Sequence, residues 1–142
     1  MPNRPRAEKD EIAFPRRGEI YLIGFDPTVG REIQKTRPAV VIQNDISNRH
    51  SPITIVAAIS SRFSDPPFPR EVVIGPEESG LPKRSAVIVN QIRSVDRLRL
   101  QARLGKLAGP SMERLDEAIK ISLGLTRLWI GQPPAGQRSL RV

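Results

Sequence analysis

The sequence predicts a mainly β protein, a small barrel of short strands followed by one C-terminal helix. Three observations predict it. Short β-branched runs, such as Ala39-Val40-Val41-Ile42 and Ile53-Thr54-Ile55-Val56, recur between clusters of Gly, Pro, Asn, Asp and Ser. After residue 110 the period changes, and Met112, Leu115, Ile119 and Leu123 fall on one helical stripe. Apolar residues make up 38% of the 142-residue chain and aromatics only 4%, so the core of this one-domain chain is aliphatic.

Residues 1–16 hold three prolines and mixed charge, and read as a flexible arm. Glu19 to Phe25 is a strand with Tyr21, Ile23 and Phe25 on one face and Ile20 and Leu22 on the other. Asp26-Pro27 breaks it, and a loop with Gly30 near its middle runs to Thr36. Pro38 to Gln43 is a buried strand. Asn44 to Pro52 is turn material. Ile53 to Ile59 is a strand that ends in Ser60-Ser61-Arg62. A proline-rich connection over 63–69 leads to a short strand, Glu71 to Ile74, and a loop, Gly75 to Lys83. Ser85 to Ile92 is the next strand, with scope to run to Val95. The helix spans about 110–123, with Pro110 in its first turn and Gly124 as its left-handed stop. Residues 127–142, with Pro133-Pro134, form a tail. The domain is therefore 17–126.

The formal net charge is +8. The N-terminal 17 residues carry five basic and three acidic side chains, and the last 16 carry three basic and none acidic. Inside the domain, Arg93, Arg97, Arg99, Arg103 and Lys106 face only Asp96, an expected polyanion footprint beside the plainer reading of a solvated face. The chain has no cysteine, hence no disulfide framework and no thiolate metal site. No apolar run reaches membrane-spanning length, and no signal peptide is evident, so the expected compartment is the cytoplasm.

His50 is the single histidine, which excludes a two-histidine acid–base nuclease within one chain. Glu77-Glu78 lack a third metal ligand, and no phosphate loop or dinucleotide fingerprint occurs, so no cofactor is expected. What is left is Arg37, fixed before Pro38 at the mouth of a strand, with Lys35 and Thr36 beside it. Added to it are Ser60, Ser61, the amides Gln34, Asn44 and Gln91, and Arg93. A guanidinium fork matches phosphate oxygens and stabilises charge building on phosphorus. The plainer reading is that Arg37 pairs with a carboxylate such as Glu32. RNA carries its own nucleophile, the 2′-hydroxyl, whereas DNA would need an activated water, for which no good base is present. The set favours RNA.

Four stretches carry a family resemblance. They are Arg17-Gly18-Glu19-Ile20-Tyr21-Leu22, Lys35-Thr36-Arg37-Pro38-Ala39-Val40-Val41-Ile42-Gln43-Asn44-Asp45, Val89-Asn90-Gln91-Ile92-Arg93-Ser94-Val95-Asp96 and Ile121-Ser122-Leu123-Gly124-Leu125. Together, over about residues 17–126, the chain resembles the MazF/PemK toxins of bacterial type II toxin–antitoxin systems. The resemblance implies an SH3-like, CcdB-like barrel. It also implies a homodimeric, metal-independent endoribonuclease that cuts single-stranded RNA to 2′,3′-cyclic phosphate and 5′-OH ends. The family's catalytic arginine falls on Arg37. Its catalytic threonine falls on Ser60, which keeps the hydroxyl but lacks the methyl that restricts its rotamer. Glu32 falls on an acidic position of the loop near the RNA, and Gln34, Lys35, Thr36, Asn44, Ser61 and Gln91 complete the expected RNA-binding set. A cognate antitoxin with an acidic segment is the expected protein partner. Two other readings stand beside this one: a non-catalytic, CcdB-like toxin that binds a protein target such as gyrase, and a basic barrel that binds nucleic acid without cutting it.

Overall fold

Two neighbouring core faces are written into the strands as simple alternation. In the computed structural model, which describes residues 14–25, 30–31 and 35–126, the elements are β1 (Glu19–Gly24), β2 (Thr36–Val41), α1 (Asp45–His50), β3 (Ile53–Ser60), β4 (Glu71–Ile74), α2 (Pro76–Ser79), β5 (Ser85–Asp96), a 3₁₀ turn (Arg97–Arg99), β6 (Leu100–Lys106) and α3 (Gly109–Ser122). The six strands form one antiparallel sheet in the order β4-β5-β3-β2-β1-β6. Successive side chains point to opposite faces. Val40, Ala57, Ile59, Val87 and Val89 therefore join Ile20 on one face, where Leu107, Leu115 and Ala118 pack from the α3 side. Ala39, Val41, Val56 and Ala58 join Ile23, Phe25 and Val95 on the other, with Tyr21 against them. Each fully buried Val, Ile, Leu or Phe side chain among them contributes roughly 1.5–3 kcal/mol.

The sheet is open, which corrects the expected small barrel. No hydrogen-bonded ladder joins β4 to β6 among the described residues. Pro76 is the reason on the β4 side: it has no N–H to extend a ladder and starts α2 instead. The two edges still meet, through α2. A Cβ placed on Gly105 of β6 would lie 2.1 Å from the Ser79 carbonyl oxygen, and the Ala108 N–H donates to the Glu78 carbonyl at 3.1 Å. Glycine at 105 is what permits that approach.

Other expectations shift. Asn44 to Pro52 is not only turn: it contains α1, whose N-cap Asn44 accepts from the Ser47 N–H at 2.8 Å. Asn48 of this helix is fully buried. It donates to the Gln43 carbonyl (2.9 Å) and accepts from the Thr54 hydroxyl (2.7 Å) and the Gln43 amide (2.9 Å). Polar side-chain contacts, not an apolar stripe, hold α1. The stretch Leu100 to Lys106, for which the sequence predicts no element, is strand β6. It is largely solvent-facing, so it lacks the alternation that marks a half-buried strand. The expected arm is described only over 14–16, where Pro15 is buried and the Arg16 and Arg49 guanidiniums lie 5.2 and 5.9 Å from the Phe14 ring centroid. The rest of the arm and the tail over 127–142 lie outside the described residues. No described helix is long and apolar enough to cross a membrane.

Candidate active site

Arg37 and Ser60 are brought together by strand register. In the β2–β3 pair Ala39 stands opposite Ala58, Val40 opposite Ala57 and Val41 opposite Val56. Continuing that register by two residues sets Arg37 opposite Ser60, on the same side of the sheet as the Ala39–Ala58 pair. Pro38, between them, has no N–H to give, so the hydrogen-bonded ladder stops there. The two strand ends and the chain leading into β5 enclose a cleft of about 170 Å³. Arg37 and Pro38 line it from β2, Ile59, Ser60 and Ser61 from β3, and Leu81, Pro82, Lys83 and Ser85 from the α2–β5 connection. Ile59 and Leu81 are its buried apolar lining, beside polar and cationic residues.

The Ser60 Oγ accepts the Arg62 N–H at 3.1 Å, which turns its own O–H free to donate to a ligand. The Ser85 hydroxyl donates to the Lys83 carbonyl at 3.0 Å and braces the turn that carries Lys83. Arg37 is exposed, and neither it nor Lys83 enters the ion pairs found among the described residues. Two cations beside an apolar lining suit a phosphodiester.

Lys35 has φ +63, a left-handed conformation unusual for a residue with a side chain. Its carbonyl accepts the Phe25 N–H at 2.8 Å, which extends the β1–β2 pairing beyond Gly24 and Thr36 and aims the chain into β2 ahead of Arg37. Thr36, like Lys35, is exposed beside Arg37.

Not every expected residue joins the cleft. Ser61 does. Asn44 caps α1, past the opposite end of β2 from Arg37. Gln91 is half-buried within β5 and does not line the cleft. Glu32 and Gln34 lie outside the described residues. The basic stretch is also spent differently from the expected polyanion footprint. Arg93 donates to the Phe25 carbonyl at 2.6 Å and Arg99 to the Gly24 carbonyl at 3.1 Å. Arg103 pairs with Glu19 at 2.9 Å. Arg93 and Arg99 tie down the C-terminal end of β1, because a carbonyl at a strand end needs a donor and a long guanidinium reaches it, whereas Arg103 is held at the start of β1 by Glu19. Lys83 is the cleft residue that sequence reasoning missed. Its signal was the Lys83-Arg84 pair just before β5, which an antiparallel β3–β5 pairing carries to the end of β3. Among the described residues no cluster of three His, Asp or Glu side chains is placed to hold a metal ion.

Comparison with known proteins adds the following. A family model described as the PemK-like, MazF-like toxin of type II toxin–antitoxin systems matches residues 16–123. The chain is 40% identical over 110 residues to Endoribonuclease EndoA of Bacillus subtilis (strain 168), covering 78% of this chain and 95% of that protein. Its fold is similar to a crystal structure of MazF (Form-I) from Deinococcus radiodurans, with a TM-score of 0.68 and 23% identity over 78% of this chain and 97% of that one. It is also similar to an endoribonuclease in complex with its cognate antitoxin from a mycobacterial species. That TM-score is 0.63, with 21% identity over 80% of this chain and 96% of that one.

Proposed function

Because this chain belongs to the PemK-like, MazF-like toxin family of type II toxin–antitoxin systems, we propose that it is an endoribonuclease that cuts single-stranded RNA without a metal ion. Arg37 and Ser60 form its catalytic pair. The observation that supports this reading is the register that sets an arginine opposite a serine hydroxyl at the lip of one cleft. A CcdB-like toxin that only blocks a protein target has no need of such a pair.

In the proposed reaction the scissile phosphate sits over Ile59, with its non-bridging oxygens taking donors from Arg37 and Ser60. The 2′-oxygen bonds to phosphorus as its proton passes to solvent water. The bond from phosphorus to the 5′-oxygen breaks, and that oxygen takes a proton back from solvent water, so the step is proton-neutral. The products are a 2′,3′-cyclic phosphate and a 5′-OH. Arg37 neutralises the charge that accumulates at the five-coordinate stage. The donors are side chains of the cleft, so the scheme has no step that needs a metal. Lys35, Thr36 and Ser61, close in chain to the pair, are the nearest further RNA contacts, and Glu32 and Gln34, just before them in sequence, extend that set. The proposal includes a homodimer in the cytoplasm, where messenger RNA is available, and a cognate antitoxin whose acidic segment covers the cationic cleft.

The test is incubation of the purified protein with mixed-sequence RNA in excess chelator, followed by analysis of the new ends. The expected result is undiminished cutting with 5′-OH and cyclic phosphate ends, and no cutting of RNA with a 2′-deoxy sugar at the scissile position. Cutting that returns only with Mg²⁺ or Mn²⁺ contradicts the proposal.

A further inference from the structure

We propose that Arg84, seated on the ring of Phe63, is a stacking platform for the base next to the scissile phosphodiester, with Lys83 gripping that nucleotide's phosphate. The inference rests on the reading of the cleft as an RNA-cutting site and names a subsite beside it.

Four observations carry it. The β3–β5 pairing ends at Ser60 opposite Ala86. Beyond that pair both chains run on past the cleft, Ser61-Arg62-Phe63 from β3 and Ser85-Arg84-Lys83 from β5. They meet again side by side: the Arg84 guanidinium carbon lies 5.4 Å from the Phe63 ring centroid. Phe63 is half-buried while Arg84 is exposed, so the ring is the support and the guanidinium is the outward layer. Arg84 also stands in the chain between Lys83 and Ser85, both of which line the cleft.

The chemistry follows from those positions. An arginine lying on an aromatic ring has lost much of its rotamer freedom before any ligand arrives. Its planar, weakly hydrated guanidinium accepts a nucleobase by stacking, and any base has a face to offer. Single-stranded RNA is the substrate form whose bases are free to be splayed onto such a plane. A lysine adjoining that plane meets the phosphate of the same nucleotide as a point charge. The order Arg37, Lys83, Arg84 thus reads as scissile phosphate, neighbouring phosphate, neighbouring base.

The experiment uses an RNA that the parent protein cuts, made uncleavable by one 2′-deoxy sugar at the cut and carrying 2-aminopurine on either side of it. Binding to the parent should quench the 2-aminopurine on one side. Arg84→Lys keeps the charge and loses the plane: it should abolish the quench and weaken binding about 5- to 100-fold. Its salt dependence should be unchanged. Lys83→Gln should keep the quench and lower the slope of log affinity against log salt by about 0.7. Both side chains are exposed, so both variants should melt with the parent. Phe63→Leu, which removes the support, should reproduce the Arg84→Lys result, and Phe63→Tyr should not. Quenching and affinity unchanged in Arg84→Lys, with the parent active, overturn the platform. A parent that neither cuts nor binds any RNA overturns instead the reading on which it rests.

Discussion

Arg37 and Ser60 line one cleft at the ends of β2 and β3, two residues beyond the last paired residues, Ala39 and Ala58, where Pro38 ends the ladder. The cleft exists because that corner of the sheet stays open. Its chemistry therefore depends on the integrity of the sheet around it.

Gly105→Ala should destabilise the protein. The new Cβ would stand 2.1 Å from the Ser79 carbonyl oxygen, a backbone atom that cannot swing aside. Overpacking of this kind costs roughly 1–3 kcal/mol. The contact is the bridge between the two sheet edges, so the expected drop in melting temperature is several degrees. An unchanged melt would mean that the α2 bridge between the sheet edges does not contribute to stability.

Glu78 couples α2 to α3 and makes stability acid-sensitive. Its carboxylate accepts from the Gly75 N–H and the Ser111 hydroxyl, each at 2.7 Å, and pairs with Arg114. The Gly75 N–H first, then Ser111 and Arg114, hold its pKa below the ordinary glutamate value. A depressed folded-state pKa gives stability that is present above the unfolded value and lost as pH falls through the folded one. The parent should therefore lose stability as pH drops below about 4.5. Glu78→Gln should be less stable at neutral pH, and its denaturant midpoint should fall less over the acid range.

How much of this was legible in the sequence depends on what marks each element. The central strands were legible because Val40, Val41, Val56 and Ile59 are apolar and β-branched and announce burial directly. The place of Arg37 at the mouth of β2 was legible because a proline follows it, and that of Ser60 at the end of β3 because it closes an apolar run. β6 was hidden: Arg103 and Leu104 are both exposed, so its face pattern carries no period. α1 was hidden because its stabilising contacts, Asn44 to Ser47 and Asn48 to Thr54, are hydrogen bonds between polar side chains that also suit turns. Lys83 was hidden because its place in the cleft comes from the β3–β5 register, a long-range pairing that local composition does not encode.

Tyr21, the chain's single tyrosine, should titrate late. Partial burial, then the nearby Glu19 charge and the hydrogen bond its hydroxyl donates to Glu19 at 3.0 Å, push its pKa up to about 12. A raised folded-state pKa gives stability that is complete below the unfolded value, near 10, and lost as pH rises toward 12. Tyrosinate absorbance followed against pH should show this midpoint. Glu19→Gln should lower it only part of the way, because burial is the largest cause. A parent midpoint near 10 would contradict the packing of Tyr21 against the sheet.

The central claim is the catalytic pair. Loss of one electrostatic donor at a reacting phosphate costs on the order of 100- to 1000-fold in rate. Arg37→Ala should fall by that much, and Arg37→Lys should recover little, since a point charge lacks the fork. Ser60→Ala should lose less, and Ser60→Thr should match or exceed the parent, because the added methyl restricts the hydroxyl's rotamer. Single-turnover RNA cleavage by folded Arg37→Ala, with a thermal melt alongside, is the most direct measurement. A rate at least 100-fold below the parent with an unchanged melt is the predicted result, and cutting at the parent rate contradicts the account.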